Sequence, residues 1–505
     1  MVTKLFSSSI EGLDSRCVEI EVDISGGLTS FNIVGLPDNA VKESKERVRT
    51  AIQSSGFEFP IKRIIVNMAP ADIRKEGSSY DLPISLGILI EQGVLKAPDR
   101  KFLFAGELSL NGELRKISGG ISIALLAKAL GMDGIAVPSA NAKECAVVEG
   151  VSVFGFDSLF DVVKFLKGDL EMVPVKVEYA DYNGRLNSYD IDFADVKGQY
   201  LVKRALEIAI SGGHNILMAG PPGAGKSMMA KRILTIMPRM TMSEAIEVTR
   251  IHSVSGLVNN EIVFTRPFRN PHSSISKIGL LGGGQYPKPG EISLSHRGVL
   301  FLDEFPEFLK NSIEGLREPL ENGTITISRA RTSVTFPAEF ILIAAMNPCP
   351  CGYYNDPTHE CTCSVKDIDH YRRRISGPIM DRIDIHVEVR PVPVEDLQNK
   401  GAGESSATIR ERIEETRKIQ YERYKQDKFS LNSKIADKKI ESYCAIDQGS
   451  RDILAKAMKM YSLSARSYKK ILKIARTIAD MDRNGTIKAN HLTEALNYRI
   501  LDRRI

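Results

Sequence analysis

Two rhythms of apolar and polar positions run along the chain. Near its start, Cys17-Val-Glu-Ile-Glu-Val-Asp23 alternates with the period of a strand, and so does Arg63-Ile-Ile-Val-Asn67. Between and after them, Val41 to Ser55 sets Val41, Val48, Ala51 and Ile52 on one helical face, and Tyr80 to Gln92 is a second apolar helix candidate. Further along, the apolar positions become continuous. Asn215-Ile-Leu-Met-Ala219, Gly298-Val-Leu-Phe-Leu302 and Phe340-Ile-Leu-Ile-Ala-Ala-Met346 read as buried strands. Helices are expected from Tyr200 to Ser211, closed by Gly212-Gly213, and from Ser227 to Leu234. An alternating strand follows Arg382, and Leu463 to Asp480 is an amphipathic helix. Residues 171–190 are polar and unpatterned and read as a linker. The fold class expected is α/β: an N-terminal α+β domain (1–170), a core of parallel strands (191–391) and a C-terminal helical part (392–505).

Each continuous run ends in residues that carry chemistry. The first enters Gly220-Pro221-Pro222-Gly223-Ala224-Gly225-Lys226-Ser227, which fits the G-x-x-x-x-G-K-[ST] template at every fixed position. Its glycines let backbone N–H groups close around phosphate. Lys226 reaches the β- and γ-phosphates, and Ser227 ligates Mg²⁺. The second run ends in Asp303 and Glu304, 77 residues after Lys226. Asp303 is suited to hold Mg²⁺ through water, and Glu304 to polarise the attacking water. The third ends in Asn347, placed to orient that water. Arg382, at a turn before a strand, can stabilise transferring phosphoryl charge, in trans if subunits form a ring. The expected ligands are ATP and Mg²⁺.

Composition narrows the setting. Hydrophobic residues make up 43% of 505 positions and charged residues 26%, as in globular proteins in water. No run approaches the ~18 apolar residues of a membrane span, and no signal-peptide pattern opens the chain, so no membrane association and a cytoplasmic location are expected. Four of seven cysteines fall in Cys349-Pro-Cys351 and Cys361-Thr-Cys363. Four thiolates so close can surround a structural Zn²⁺, with His359 as a substitute ligand. The net charge of +5 is uneven. Residues 401–505 hold 23 Lys+Arg against 14 Asp+Glu, which points to a polyanion or to a solvated basic helical face.

The nucleotide motifs together resemble the AAA+ ATPases, and more narrowly the magnesium-chelatase-like group. The first 170 residues resemble the proteolytic domain of the Lon family, through Lys75-Glu-Gly-Ser-Ser-Tyr-Asp81, Ala105–Gly120 and Gly134–Asn141. Lon uses a Ser-Lys dyad. Ser79 falls at the nucleophile position, but Gly119-Gly120-Ile121 is followed by Ser122 where the lysine belongs, and Lys128 comes two turns later. A Lon-like fold without peptidase function is expected. The whole chain is similar to the ComM/YifB family of bacterial competence proteins, most specifically in Lys288–Glu304, Met346–Gly352 and Leu463–Asp480. That resemblance implies Arg382 as arginine finger, Arg466 as sensor of a helical lid and Asn347 as strand sensor. It also implies a homo-hexameric ring that moves on DNA and migrates branched junctions in recombination or natural transformation.

Two stretches are candidates for contacting single-stranded or branched DNA. Ile325 to Phe336 reads as a hairpin whose tip carries Arg329 and Arg331, and Gly279 to Gly290 reads as a flexible glycine-rich loop carrying Lys288. Two rival functions stand beside the DNA motor. One is a magnesium-chelatase-like motor subunit acting on a protein partner, against which the Lon-like block and the cysteine loop speak. The other is an ATP-dependent protease, against which Ser122 speaks.

Overall fold

Strands that are apolar without interruption need cover on both faces, and parallel sheets supply it. The computed structural model describes residues 2–177, 189–258, 262–284, 287–328, 333–356, 358–393, 396, 403–427 and 429–499. The chain divides into two compact units. One comprises 1–186, 241–264 and 328–336, and the other 187–240, 265–327 and 337–505.

The first unit is built on a seven-stranded mixed sheet. Its order is Ser30–Val34, Arg63–Ala69, Asp14–Ser25, Thr3–Glu11, Phe102–Phe104, Gly134–Pro138, Ser152–Phe156. The long antiparallel pair Thr3–Glu11 and Asp14–Ser25 turns at Gly12 and is in register from Thr3 opposite Val22 to Glu11 opposite Asp14. The expected helices form as Asn39–Ser54 and Asp81–Glu91. Val41, Val48, Ala51 and Ile52 are buried, as their spacing requires.

Ser122 lies on the helix Gly120–Ala129 and is 2% exposed. Its Oγ donates to the Leu13 carbonyl at 2.5 Å and accepts from Arg250 Nε at 3.3 Å. Arg250 also donates to Leu13 O at 2.8 Å and pairs with Asp14 at 2.5 Å. It belongs to the helix Met242–Val254, which is part of this unit although it follows the P-loop in sequence. Ser253 Oγ of the same helix accepts from Gly119 N at 3.0 Å. Lys128 runs alongside Gly150, its Cε 3.5 Å from where a β-carbon there would sit. Linker residue Val175 donates its N–H to Val153 at 2.8 Å; positions 178–188 lie outside the described residues.

The second unit is built on a five-stranded sheet, all parallel, in the order Phe268–Arg269, Val299–Leu302, Ile341–Met346, Ile216–Ala219, Ile385–Glu388. The three continuous apolar runs are its three central strands, and every residue in them is buried. The C-terminal part is helical: Ser406–Arg423, Gln448–Met460, Ala465–Met481 and Ala489–Asn497. Helix Ala465–Met481 buries Ile471, Leu472, Ile474, Ala475, Ile478 and Ala479.

One sequence expectation needs correction. Residues 279–290 are not an open loop. A helix, Lys277–Leu281, is capped by Ser276 Oγ, which accepts from Gly279 N at 3.1 Å. Gly282 and Gly283 then pair antiparallel with Pro289 and Lys288. The cap and the pairing supply backbone partners that glycine content alone does not reveal. Gln285 and Tyr286 lie outside the described residues. Thr324–Ser328 and Ser333–Pro337 form the expected hairpin, but its tip, 329–332, with Arg329 and Arg331, lies outside the described residues.

Ser122→Lys will not create a peptidase. The site is filled, and an amine there displaces the hydroxyl from Leu13 and crowds Arg250. We expect no casein cleavage and a loss of roughly 1–3 kcal/mol, typical of overpacking. Casein digestion and denaturant unfolding of the first transition measure both. Unchanged stability would show that the serine contacts do not matter.

Candidate functional site

Parallel strands in register end at the same level, so residues just past their C-termini gather along one edge of the sheet. Ala219 pairs with Met346, and Leu302 with Ala344. The P-loop after Ala219, Asp303 after Leu302 and Asn347 after Met346 therefore converge. Gly220 has no room for a side chain, since a β-carbon would meet the Val389 carbonyl at 2.2 Å. The loop closes on the helix Lys226–Ile236.

Lys226 is 9% exposed. Its Nζ donates to Gly220 O at 2.5 Å, Pro221 O at 2.9 Å and Asn347 Oδ1 at 3.1 Å. Among the described residues no carboxylate bonds it directly. Desolvation pulls its ammonium down to about 8, with Asp303 opposing the shift. A buried cation held only by neutral oxygens is short of negative charge, which is the condition that a phosphate relieves. Ser227 Oγ donates to Asp303 Oδ2 at 2.5 Å. Two oxygen donors so placed suit a hard cation such as Mg²⁺, which prefers few protein ligands and retains water. Asp303 Oδ1 accepts from Glu304 N at 2.9 Å. Glu304 sits in the left-handed region at φ 50, and its exposed carboxylate has no hydrogen-bond partner among the described residues. Such backbone strain accumulates at functional sites.

The remaining predicted residues occupy a different neighbourhood. Arg382 donates Nη1 to Pro378 O at 2.8 Å and Nη2 to Glu321, while its Nε is buried without a partner among the described residues. Arg466, in the first turn of Ala465–Met481, pairs with Asp381 at 3.2 Å. Both arginines thus meet at one turn, 378–382, and among the described residues no hydrogen bond joins either to the P-loop. Lys288 is exposed.

The four cysteines do come together. Sγ–Sγ distances are 3.3 Å for Cys349–Cys351, 3.7 Å for Cys349–Cys361 and 3.6 Å for Cys351–Cys361, and all four sulfurs lie within 4.8 Å of one another. Tetrahedral Zn–S bonds of ~2.3 Å place sulfurs about 3.8 Å apart, so the set fits zinc. His359 is no substitute. It stacks on Tyr353 at 4.6 Å and pairs with Asp356 at 3.5 Å.

Three polar groups escaped the sequence reading. Gln199, at φ 55 before the helix Tyr200–Gly212, donates Nε2 to Ala224 O at 3.3 Å and Arg390 O at 2.6 Å, bracing the P-loop. Asn215 Oδ1 accepts from Leu342 N at 2.9 Å, and its Nδ2 donates to Arg382 O at 3.1 Å. Buried His214 bonds Asp384 at 3.2 Å and Thr477 at 2.8 Å, and Lys470 meets Asp384 at 2.9 Å. The available signal was polar residues interrupting apolar strand starts, at His214-Asn215 and Asp384.

Replacing Lys226 with alanine removes the cation and leaves Asn347 without its donor. ATP affinity should fall by about 1.5–3 kcal/mol, the range for a hydrogen bond to a charged group. Titration with a fluorescent ATP analogue measures it. Wild-type affinity would exclude this loop as the phosphate site.

Known proteins are similar in sequence over nearly the whole chain. Residues 192–397 match the family described as magnesium chelatase, subunit ChlI, and 403–499 match the family of its C-terminal part. Residues 20–141 match a family described as subunit ChlI of Mg-chelatase. The competence protein ComM of Haemophilus influenzae is 44% identical over 510 aligned residues, covering 99% of this chain and 97% of that protein. The uncharacterized protein YifB of Escherichia coli is 42% identical, covering 97% and 96%. A distant relative, the zygotic DNA replication licensing factor mcm6-A of Xenopus laevis, is 22% identical over 62% of this chain and 37% of its own. The chain belongs to the ComM/YifB family, within the magnesium-chelatase-like AAA+ proteins.

Proposed function

We propose that this protein is an ATP-driven DNA motor of the helicase or branch-migration type, working as a hexameric ring in recombination or natural transformation. The observation that carries the ATPase reading is Lys226, buried against neutral oxygens beside the Ser227–Asp303 pair. In this reading Lys226 and the P-loop amides bind the phosphates of ATP, and Ser227 and Asp303 hold Mg²⁺, which supplies charge neutralisation at the phosphates. Glu304 takes a proton from the attacking water, and Asn347 orients it. Arg382 serves the neighbouring subunit. Its Nε is buried without a partner among the described residues, and the exposed Glu321 competes for its Nη2 in the isolated chain. Arg466 reports the nucleotide state through Asp381. Zn²⁺ on the four cysteines is structural.

The DNA reading draws on kinship with a competence protein and, remotely, a DNA replication licensing factor. Arg329, Arg331 and Lys288 are its proposed phosphate contacts. The rival reading is a chelatase-type motor acting on a protein partner. A family described by a chelatase subunit covers residues 20–141 as well, so the N-terminal block does not separate the two. ATPase rate with and without forked or four-way DNA does.

Branched DNA should stimulate hydrolysis and be unwound. Glu304→Gln should bind ATP yet hydrolyse it slowly. Arg329→Ala with Arg331→Ala should weaken DNA binding and flatten its salt dependence, by up to about 0.9 in slope per lost duplex phosphate contact, while basal ATPase persists. Hydrolysis indifferent to every DNA form would favour the chelatase-type reading.

A further inference from the structure

The cysteine loop is a neighbour of the P-loop as well as a metal cage. Asn347, which accepts from Lys226 at 3.1 Å, is followed directly by Pro348 and Cys349. Cys349 is fully buried. The loop then turns at Gly352, where φ is +90, and passes over Pro222 of the P-loop. The approach is so close that a β-carbon on Gly352 would lie 2.7 Å from Pro222 Cδ and 4.0 Å from Asn347 Cγ. Gly352 N donates to Cys349 O at 3.1 Å, which closes the turn.

The sulfurs are already furnished with the N–H donors that thiolates bound to a metal require. Cys351 N donates to Cys363 Sγ at 3.3 Å, and Tyr354 N to Cys349 Sγ at 3.3 Å. Arg372 fixes the far side. Its Nε donates to Pro348 O at 3.3 Å, and its guanidinium lies 5.4 Å from the centre of the Tyr354 ring. Four sulfurs this close can all be thiolates only with a cation between them, because their charges otherwise repel. A bound metal therefore decides whether Cys349–Cys351 and Cys361–Cys363 stay together. Through Gly352 and Asn347 it decides whether the P-loop keeps its shape.

We propose that the four-cysteine cluster is a zinc site that clamps the P-loop, so that nucleotide binding depends on the metal. Zinc joins Cys349 and Cys351 to Cys361 and Cys363, presses Gly352 against Pro222, and holds Asn347 where it meets Lys226. The metal is four-coordinate with sulfur and takes no part in hydrolysis. The proposal rests on the P-loop being the nucleotide site.

The test uses the full chain and ATP binding alone, without DNA. Purified protein should carry about one zinc per chain. Removing zinc with a chelator under reducing conditions should weaken binding of a fluorescent ATP analogue by about ten-fold or more, as for lost support around a positioned group. Added Zn²⁺ should restore it, and added Mg²⁺ should not. Gly352→Ala keeps all four ligands but pushes on Pro222. It should retain zinc and still bind the analogue more weakly. Cys361→Ser should lose zinc and affinity together. If that variant does not fold, the chelation series on wild-type protein decides. Unchanged affinity in zinc-free protein, or in Gly352→Ala, would overturn the clamp. Four titrating thiols in protein that takes up no zinc would overturn the site. Lys226→Ala binding like wild type would instead reject the nucleotide site itself.

Discussion

A buried lysine ammonium whose hydrogen bonds among the described residues all go to neutral oxygens is the constraint on which the second unit is organised. Water would solvate Lys226 far better than the carbonyls of Gly220 and Pro221 and the amide of Asn347 do. The fold holds it there because the parallel sheet, the P-loop helix and the glycine turn leave it no other place. The surroundings are arranged so that an incoming anion completes them. Asp303 is near enough to oppose the loss of charge, but its oxygens accept from Ser227 Oγ and Glu304 N.

Around that point the supports are layered. Gln199 ties the P-loop to Arg390, Asn215 stitches its strand to the strand of Asn347, and the cysteine loop covers Pro222. Asn215 also holds the carbonyl of Arg382, so the turn bearing both Arg382 and the partner of Arg466 is fastened to the same strand that enters the P-loop.

The central strands were legible because burial on both faces removes any need for polar alternation, so continuous apolar runs mark them. The candidate site was legible because each run ends in a residue that the sheet edge then gathers with the others. What escaped depended on partners distant in sequence. The segment 279–290 looked open because glycine content signals freedom, whereas a serine cap and a strand pair removed it. Helix Met242–Val254 belongs with the first unit through Arg250 on Leu13 and Ser122, a contact between positions more than a hundred residues apart. His359 was a plausible ligand by spacing and was taken instead by Tyr353. His214, Asp384 and Lys470 each look ordinary alone and become a network only when the C-terminal helix packs behind the sheet.

The most direct test of the account is the proton count on nucleotide binding. With the Lys226 ammonium pulled down to about 8, the free site is mostly neutral at pH 9, and phosphate binding must recharge it. Calorimetric titration with Mg²⁺ and a non-hydrolysable ATP analogue, in buffers of different ionisation enthalpy at pH 9, reads the protons taken up. Uptake of a large fraction of a proton per site is expected, with an affinity that falls as pH rises above 8 and no uptake in Lys226→Ala. Wild-type protein that binds the analogue with no proton uptake, and with equal affinity at pH 7.5 and 9.5, would contradict it.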